Sequence, residues 1–456
     1  MIHYVGMDCH RKSFRVCRRR PDGKIEDETD LPGTRQALEA YAETHLTHED
    51  EVALEATFHS RDIAHILMPF VGRVVISNPL LTKAIAQSKK KTDKVDARVL
   101  SDLLRAGYLP EVWLPDLATQ QRRDLCARRA SLISERTRIK NRIHSVLAAA
   151  LIPLEVSDLF GKKGLEWLNN LPLKAEQRAA IQSDQRIMAV VQGEIDVLEE
   201  RLQKDAWEEP RVKLLMTLPG VNVAVAQTLL SALGEISRFQ TAEQVASYLG
   251  LVPSVHQSGE HCYHGPITRH GNSKARWMLI QAAQHVAAHP GPLGVFCRRL
   301  LKKKNRNVAV VACARKLSVI AWHMLKNNEP YRYAQPRVTQ DKLAKLRVAV
   351  TKTRKRSGTK KGEPRSAHYG TGQGVRRIPA LPAVYEQEGL PAAKSPSELP
   401  PAERRLLQES GAAAFVRTIQ EVETVPRKNP PPRPDAGEAA CALPTGGEAT
   451  TAAEGR

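Results

Sequence analysis

Up to about residue 110, short β-type runs alternate with amphipathic helical segments; beyond about residue 116 the β-type runs give way to long helical periodicity. HYVGMDCH and SFRVCRR read as successive strands, and the triplet Pro21, Asp22, Gly23 turns the chain back into KIEDETDL as a hairpin. TRQALEAYAETHL then reads as a helix opened by a Thr34 cap, EVALEAT as a strand, SRDIAHILMPFV as a helix and RVVISNP as a further strand. Three strands followed by alternating helix and strand predict an α/β domain over residues 1–110, a mixed sheet covered by helices.

From residue 111 to 207 the pattern is helical. Ile181, Met188, Val191, Ile195, Leu198 and Leu202 form a heptad seam interrupted at Asp184, which predicts a short coiled coil, either between two subunits or folded back as a helical hairpin. Upstream, an apolar line through Leu125, Leu132, Ile139, Ile143 and Val146 is flanked by Arg122, Arg123, Arg128, Arg129, Arg136, Arg138, Lys140 and Arg142. Few acids stand near these residues in sequence, so they read as a cationic strip for a nucleic-acid backbone, with a solvated helix face as the alternative. Residues 208–333 form a second, mostly helical unit. Beyond 334 the chain is basic and Pro-rich with three aromatics, Tyr369, Tyr385 and Phe415, and is expected to be largely disordered.

The chain carries 69 Lys and Arg against 49 Asp and Glu, a formal net charge of +20, so a polyanion is the expected partner, nucleic acid ahead of an anionic membrane. The seven cysteines show no CxxC or Cys/His ligand spacing, which argues against a zinc site and a disulfide framework and suits a reducing compartment. MIHYVGMDCH lacks a signal-peptide core, and no apolar run approaches the roughly 20 residues of a membrane span. A cytoplasmic protein without membrane contact is expected.

The stretch KKKTDKVDAR, residues 89–98, places Asp93 and Asp96 three apart within a cationic run. One helix from Leu81 to Leu104 would put both acids on one face, a turn apart. Asp8 and Glu55 sit in otherwise apolar strands, where a carboxylate is costly unless it is paired or holds a cation. A solvent-facing position would account for either one alone. Together, four carboxylates converging from two strands and a helix suit Mg2+ or Mn2+, which take hard oxygen ligands and, in pairs held about 4 Å apart, serve phosphodiester cleavage. Lys89, Lys90, Lys91 and Lys94 would offset the phosphates arriving at such a pocket.

The second helical unit contains LPGVNVAVAQTLLSALGEISRF and YLGLVPSVHQSGEHCYHGPITRHGNSKARWMLIQAA. Pro-Gly before a small-residue helix is similar to a helix-hairpin-helix element, whose amides grip a phosphate. Asn222 stands where that hairpin usually has a second glycine, a position at which asparagine tolerates a left-handed turn. Ser258, before a glycine, reads from the residues alone as a turn position. His261, Cys262 and His264 lack a partner pair at ligand spacing, so no zinc is expected.

YVGMDCH with Asp8, LEAT with Glu55 and KTDKVDA with Asp93 and Asp96 resemble the DEDD arrangement of the RuvC-like, RNase H-like domain of IS110-family transposases. The two later stretches resemble the same family's serine domain, the transposase 20 domain, and the likeness runs in the family's order over about residues 1–333. The tail is longer than the family pattern requires. The resemblance implies a DNA transposase or recombinase of an insertion sequence in which Asp8, Glu55, Asp93 and Asp96 bind Mg2+ or Mn2+. It implies that Ser258 attacks a DNA phosphate and forms a phosphoserine link, with Ser254 and Ser273 as competitors. His256, Arg269, His270, Lys274 and Arg276 are near enough in sequence to place charge around that phosphate. It further implies donor and target DNA as partners, a structured guide RNA that Arg122, Arg123, Arg129, Arg136, Lys140 and Arg142 could grip, and a homodimer or homotetramer.

Two other readings use less of the sequence. A junction-resolving nuclease of the same fold needs the four acids without Ser258. A non-enzymatic nucleic-acid-binding protein needs only the basic surface.

Overall fold

The computed structural model describes residues 2–85, 92–259, 261–353, 375–394, 398–399, 401–409 and 411–426. The chain divides into two compact units, Met1–Gln121 and Arg122–Arg456, so the helical region and the serine-bearing region fall together in the second.

In the first unit, β1 (Tyr4–Cys9), β2 (Ser13–Arg19) and β3 (Ile25–Pro32) are followed by α1 (Arg35–His45), β4 (Glu51–Glu55), α2 (Ser60–Leu67), β5 (Arg73–Ser77), α3 (Pro79–Ile85), α4 (Asp93–Arg105) and β6 (Glu111–Val112). The six strands lie in the order β3-β2-β1-β4-β5-β6. β1, β4 and β5 are parallel, while β2, β3 and β6 run antiparallel to their neighbours. The expected hairpin forms at Pro21, Asp22 and Gly23, where Gly23 takes φ +88°, a left-handed conformation that costs glycine little. Thr34 caps α1, its hydroxyl accepting from Ala37 N at 3.3 Å. On one face of the sheet Val5, Met7, Leu54, Leu38, Ile63 and Leu67 form a core with α1 and α2. Opposite, Ala53, Val75, Leu100 and Leu104 seat α4.

Gly6 in β1 makes that seating possible. A Cβ there would meet Ala97 O at 2.1 Å and Ser101 N at 2.6 Å, so the α4 backbone lies directly on the strand. The single helix expected from Leu81 to Leu104 is corrected: Thr92 is extended, φ −145° and ψ 151°, and α4 starts at Asp93. Thr92 caps the new start, its side chain accepting from Val95 N at 3.3 Å, a local signal that overrides continued helical periodicity.

The second unit begins, but for one turn of its first helix, with α5 (Leu117–Ala149), α6 (Lys162–Asn170) and α7 (Ala175–Glu208). Arg129 pairs with Glu199 and Arg142 with Asp184, so the two long helices run antiparallel within one chain, the helical-hairpin alternative for the heptad seam. Ile143, Leu147, Leu168 and Ile181 close its far end. Asp184 interrupts the apolar seam because it accepts two bonds from Arg142 Nε and Nη2 at 3.0 and 2.5 Å.

A larger core gathers α8 (Pro210–Met216), α9 (Val223–Leu233), α10 (Ala242–Tyr248), α11 (Ser273–Gln284), α12 (Pro292–Lys303) and α13 (Arg306–Asn327), while the hairpin β7 (Pro253–Ser258) and β8 (His261–Ile267), between α10 and α11, stays outside it. By length and composition α13 could cross a membrane, but Cys313, Ala314, Leu317, Ala321 and Trp322 spend its apolar face inside this core. In the turn between α8 and α9, Gly220 takes the left-handed conformation, φ +74°. Asn222 does not: it is extended, φ −114°, and caps α9 by accepting from Val225 N, which corrects the left-handed role expected of it.

The expectation of a disordered tail is also corrected for part of its length. α14 (Pro336–Thr351), β9 (Val375–Ile378), α15 (Leu381–Gln387), α16 (Pro401–Glu409), α17 (Ala413–Thr418) and β10 (Glu423–Pro426) are formed, and β9 pairs with β10. Leu381, Tyr385, Leu407, Val416 and Ile419 are buried in the core of the second unit. A segment too poor in apolar residues to fold alone can still order by adding a few large side chains to a core that exists. The basic stretch KTRKRSGTKKG lies outside the described residues except for its first two, and so does all of the chain beyond Pro426.

Candidate active site

Asp8 lies near the carboxyl end of β1 and is 5% exposed; Glu55 is the last residue of β4. The register Met7 to Leu54 makes these two acids neighbours at the ends of adjacent parallel strands, the edge at which open α/β sheets place their ligands. Asp93 and Asp96 occupy the first turn of α4, where the helix dipole favours negative charge. His10 Nε2 stands 3.2 Å from Asp8 Oδ2 and 3.4 Å from Asp93 Oδ1. One ligand atom each from Asp8, His10 and Asp93 lies within 4.8 Å of the others.

Burial raises the Asp8 carboxyl above its ordinary range, the charges of Asp93 and Asp96 raise it further, and His10 opposes them. Negative groups held together against their own repulsion, with hard oxygen donors facing one another, fit a divalent cation. Asp8, Asp93 and Asp96 are thus brought together from residues 85 and more positions apart, with Glu55 beside them on the next strand.

In the second unit Ser258 ends β7 at the tip of an exposed two-stranded hairpin, opposite His261, with Gly259 turning the chain at φ +58°. His256 and Tyr263 pair across the strands on the same face. The hairpin root is fixed by Thr268 N donating to Val252 O at 2.9 Å and by Gly271, where a Cβ would meet Tyr248 O at 2.0 Å.

Residues 5–152 match the model of the DEDD transposases of IS110 type, and residues 212–294 match that of the transposase IS116/IS110/IS902 family. The chain belongs to the IS110 family of transposases. Among its relatives, the transposase for insertion sequence element IS1111A of Coxiella burnetii is 25% identical over 284 residues, 59% of this chain and 76% of the relative. The pilin gene-inverting protein of Moraxella bovis is 26% identical over 280 residues, 59% of this chain and 77% of the relative. An IS116 insertion-element protein of Streptomyces clavuligerus is 26% identical over 304 residues, 55% and 74% of the two chains. As an IS110-family transposase the protein cleaves and rejoins DNA, and its DEDD domain implies the use of a divalent metal.

The basic side chains of this transposase are distributed differently from their sequence reading. Arg122 pairs with Glu209 at 3.2 Å, Arg129 with Glu199 at 2.5 Å and Arg142 with Asp184 at 2.5 Å. Arg123 donates to the carbonyls of Ser231 and Ala232 at 2.6 and 3.0 Å, and Arg136 to Gln192 Oε1 at 2.5 Å. Lys140 covers the Phe160 ring, 4.5 Å from its centroid. Arg122, Arg129 and Arg142 therefore have acidic neighbours supplied from 42 to 87 residues away, while Arg138 pairs with Glu135 in its own helix. Arg276 braces the hairpin root by donating to Leu249 O and His270 O at 3.0 and 3.1 Å. Arg269 is exposed with φ +58°, and Lys274 lines a small cavity with Arg129 and Trp277. Lys94 meets Glu28 at 3.0 Å, and Lys89, Lys90 and Lys91 lie outside the described residues.

Three residues of the first unit are not among the sequence-based candidates. Glu28 of β3 accepts from Arg98 Nε and Nη2 at 2.5 and 2.9 Å, tying α4 to the sheet. Phe58, three residues after Glu55, is 92% exposed. His10 had a visible signal, since it stands only two residues after the candidate Asp8.

Proposed function

We propose that this transposase cuts DNA with a divalent ion, Mg2+ or Mn2+, held by Asp8, Glu55, Asp93 and Asp96, and joins it through a phosphoserine at Ser258. The observation that carries the reading is the meeting of Asp8 and Asp93 with His10 within 4.8 Å at the carboxyl edge of the sheet, beside Asp96. Bound there, the ion supplies Lewis-acid stabilisation of phosphoryl oxygens. The chain's own residues do the rest. The strand ends and the capped first turn of α4 hold the carboxylates fixed, so little reorganisation accompanies the reaction. The Ser258 oxygen forms a bond to phosphorus as one bridging P–O bond of the DNA breaks; the hydroxyl proton leaves Ser258 and the departing oxygen gains one. The exposed hairpin leaves that hydroxyl open to a duplex.

The turn between α8 and α9, with Gly220 left-handed and Asn222 capping, is suited to present amides to a DNA phosphate in the helix-hairpin-helix manner. Donor and target DNA, a structured guide RNA, a homodimer or homotetramer, and a cytoplasmic location complete the reading. The basic balance of the chain, +20, supports nucleic-acid partners.

Denaturing-gel trapping of a covalent protein–DNA adduct tests it. The wild type gives an adduct, Ser258→Ala gives none, and Asp93→Asn gives little. An adduct that survives Ser258→Ala overturns the serine assignment; strand cutting without any adduct favours a junction-resolving nuclease. Sequencing of nucleic acid copurified from expressing cells tests the guide: one discrete RNA supports it and random fragments oppose it.

A further inference from the structure

We infer that His10 is a direct ligand of the divalent ion and that its nitrogen tilts the site away from magnesium toward first-row transition ions, an inference that rests on the carboxylate-held metal proposed above. His10 follows β1 by one residue and Asp8 by two. Its Nε2 lies 3.2 Å from Asp8 Oδ2 and 3.4 Å from Asp93 Oδ1.

Those separations are longer than the roughly 2.7–2.9 Å of a charge-assisted hydrogen bond. One ring nitrogen also has a single proton to give and faces two oxygens from two different elements. The spacing suits ligand atoms around a shared centre better: with bonds of about 2.1–2.2 Å, adjacent ligands of an octahedron stand about 3.0–3.1 Å apart.

The donor set then decides selectivity. Magnesium keeps oxygen ligands and water, whereas imidazole nitrogen suits Fe, Ni, Cu and Zn; Mn2+ is the hardest of the series but still takes nitrogen more readily than Mg2+. The His10 side chain is 53% exposed, so an ion can enter and leave without opening the core, and its loss leaves no cavity.

The test uses the full-length, tag-free protein with Mn2+ as the paramagnetic probe. Mn2+ affinity is measured by electron paramagnetic resonance titration, Mg2+ affinity by competition, and the ligand nitrogen by electron spin-echo envelope modulation. For the wild type, the expectation is a nitrogen modulation on bound Mn2+ that disappears in His10→Ala. Mn2+ affinity should fall about tenfold in that variant while Mg2+ affinity changes less than about twofold. His10→Gln, which keeps a polar side chain of similar reach, should behave as His10→Ala if nitrogen ligation is the cause.

Mn2+ binding that is abolished by Asp8→Asn but shows no nitrogen modulation dependent on His10 overturns this inference and leaves the carboxylate site standing. Equal losses of Mn2+ and Mg2+ affinity in His10→Ala, again without the modulation, reduce His10 to a positioning residue and also overturn it. Failure of the wild type to bind either ion overturns the metal reading itself.

Discussion

Replacing Gly6 with alanine tests whether the seating of α4 on β1 creates the acidic site. The added Cβ would lie 2.1 Å from Ala97 O and 2.6 Å from Ser101 N, both backbone atoms of a helix that cannot rotate a side chain out of the way. β1 is hydrogen-bonded to β2 on one side and β4 on the other, so the strand is the fixed partner and α4 must move. Restoring an ordinary contact of about 3.2 Å needs a displacement of about 1 Å, and such overpacking costs about 1–3 kcal/mol. Asp93 and Asp96 ride on the first turn of that helix, while Asp8 stays with the strand. A shift of about 1 Å in a metal and reaction site is expected to lower strand cleavage on the order of 100-fold. The measurements are thermal melting, Mn2+ affinity and cleavage of a labelled duplex, with Gly193→Ala as control, since a Cβ there meets nothing within 4 Å. Gly6→Ala should melt several degrees lower, remain folded and lose metal affinity and cleavage together. Wild-type cleavage and metal affinity in Gly6→Ala would refute the reasoning.

Three further outcomes follow from the packing. Tyr385→Ala should destabilise the second unit by about 3–5 kcal/mol and Tyr385→Phe by about 1–3 kcal/mol, because the ring is buried and its hydroxyl donates to Tyr331 O at 2.6 Å; denaturant titration with no change in either would mean that this part of the tail does not pack. Lys342, which burial pulls down to about 8, donates to the carbonyls of Met216, Leu218 and Val221 around the α8–α9 turn. Lys342→Met strands those acceptors and should weaken DNA binding in a mobility-shift assay more than it lowers the melting temperature. Glu28 is held at about 2, chiefly by Arg98. A depressed carboxylate contributes stability that is full above its ordinary pKa, near 4.5, and fades as pH falls toward about 2; acid titration of Glu28→Gln should therefore show a shallower loss over that window.

Much of the first unit is legible in the residues themselves because its signals are local. Pro21, Asp22 and Gly23 encode a turn, Thr34 encodes a helix start, and short apolar runs such as Val52, Ala53, Leu54 and Val74, Val75, Ile76 encode strands. The break before Asp93 was less legible, since Thr92 competes with a helical pattern on both sides and only one of the two signals can prevail. The pairing of the arginines between 122 and 142 was illegible for a different reason. The acids paired with Arg129 and Arg142 arrive from the far arm of a hairpin and that paired with Arg122 from just beyond it, so no short window of sequence contains both members of these pairs.

Taken alone, the sequence determined the identity and order of the chemical groups: Asp8, Glu55, Asp93 and Asp96, then Ser258, on a chain basic enough for nucleic acid. Tertiary structure alone decided which of them meet. Gly6 lets one backbone lie on another, and that contact, between residues some ninety positions apart, brings Asp93 beside Asp8 and admits His10 between them. Local pattern specifies conformation because its energies act over a few residues; proximity across the chain depends on how whole elements pack, and packing is a property of the assembled core.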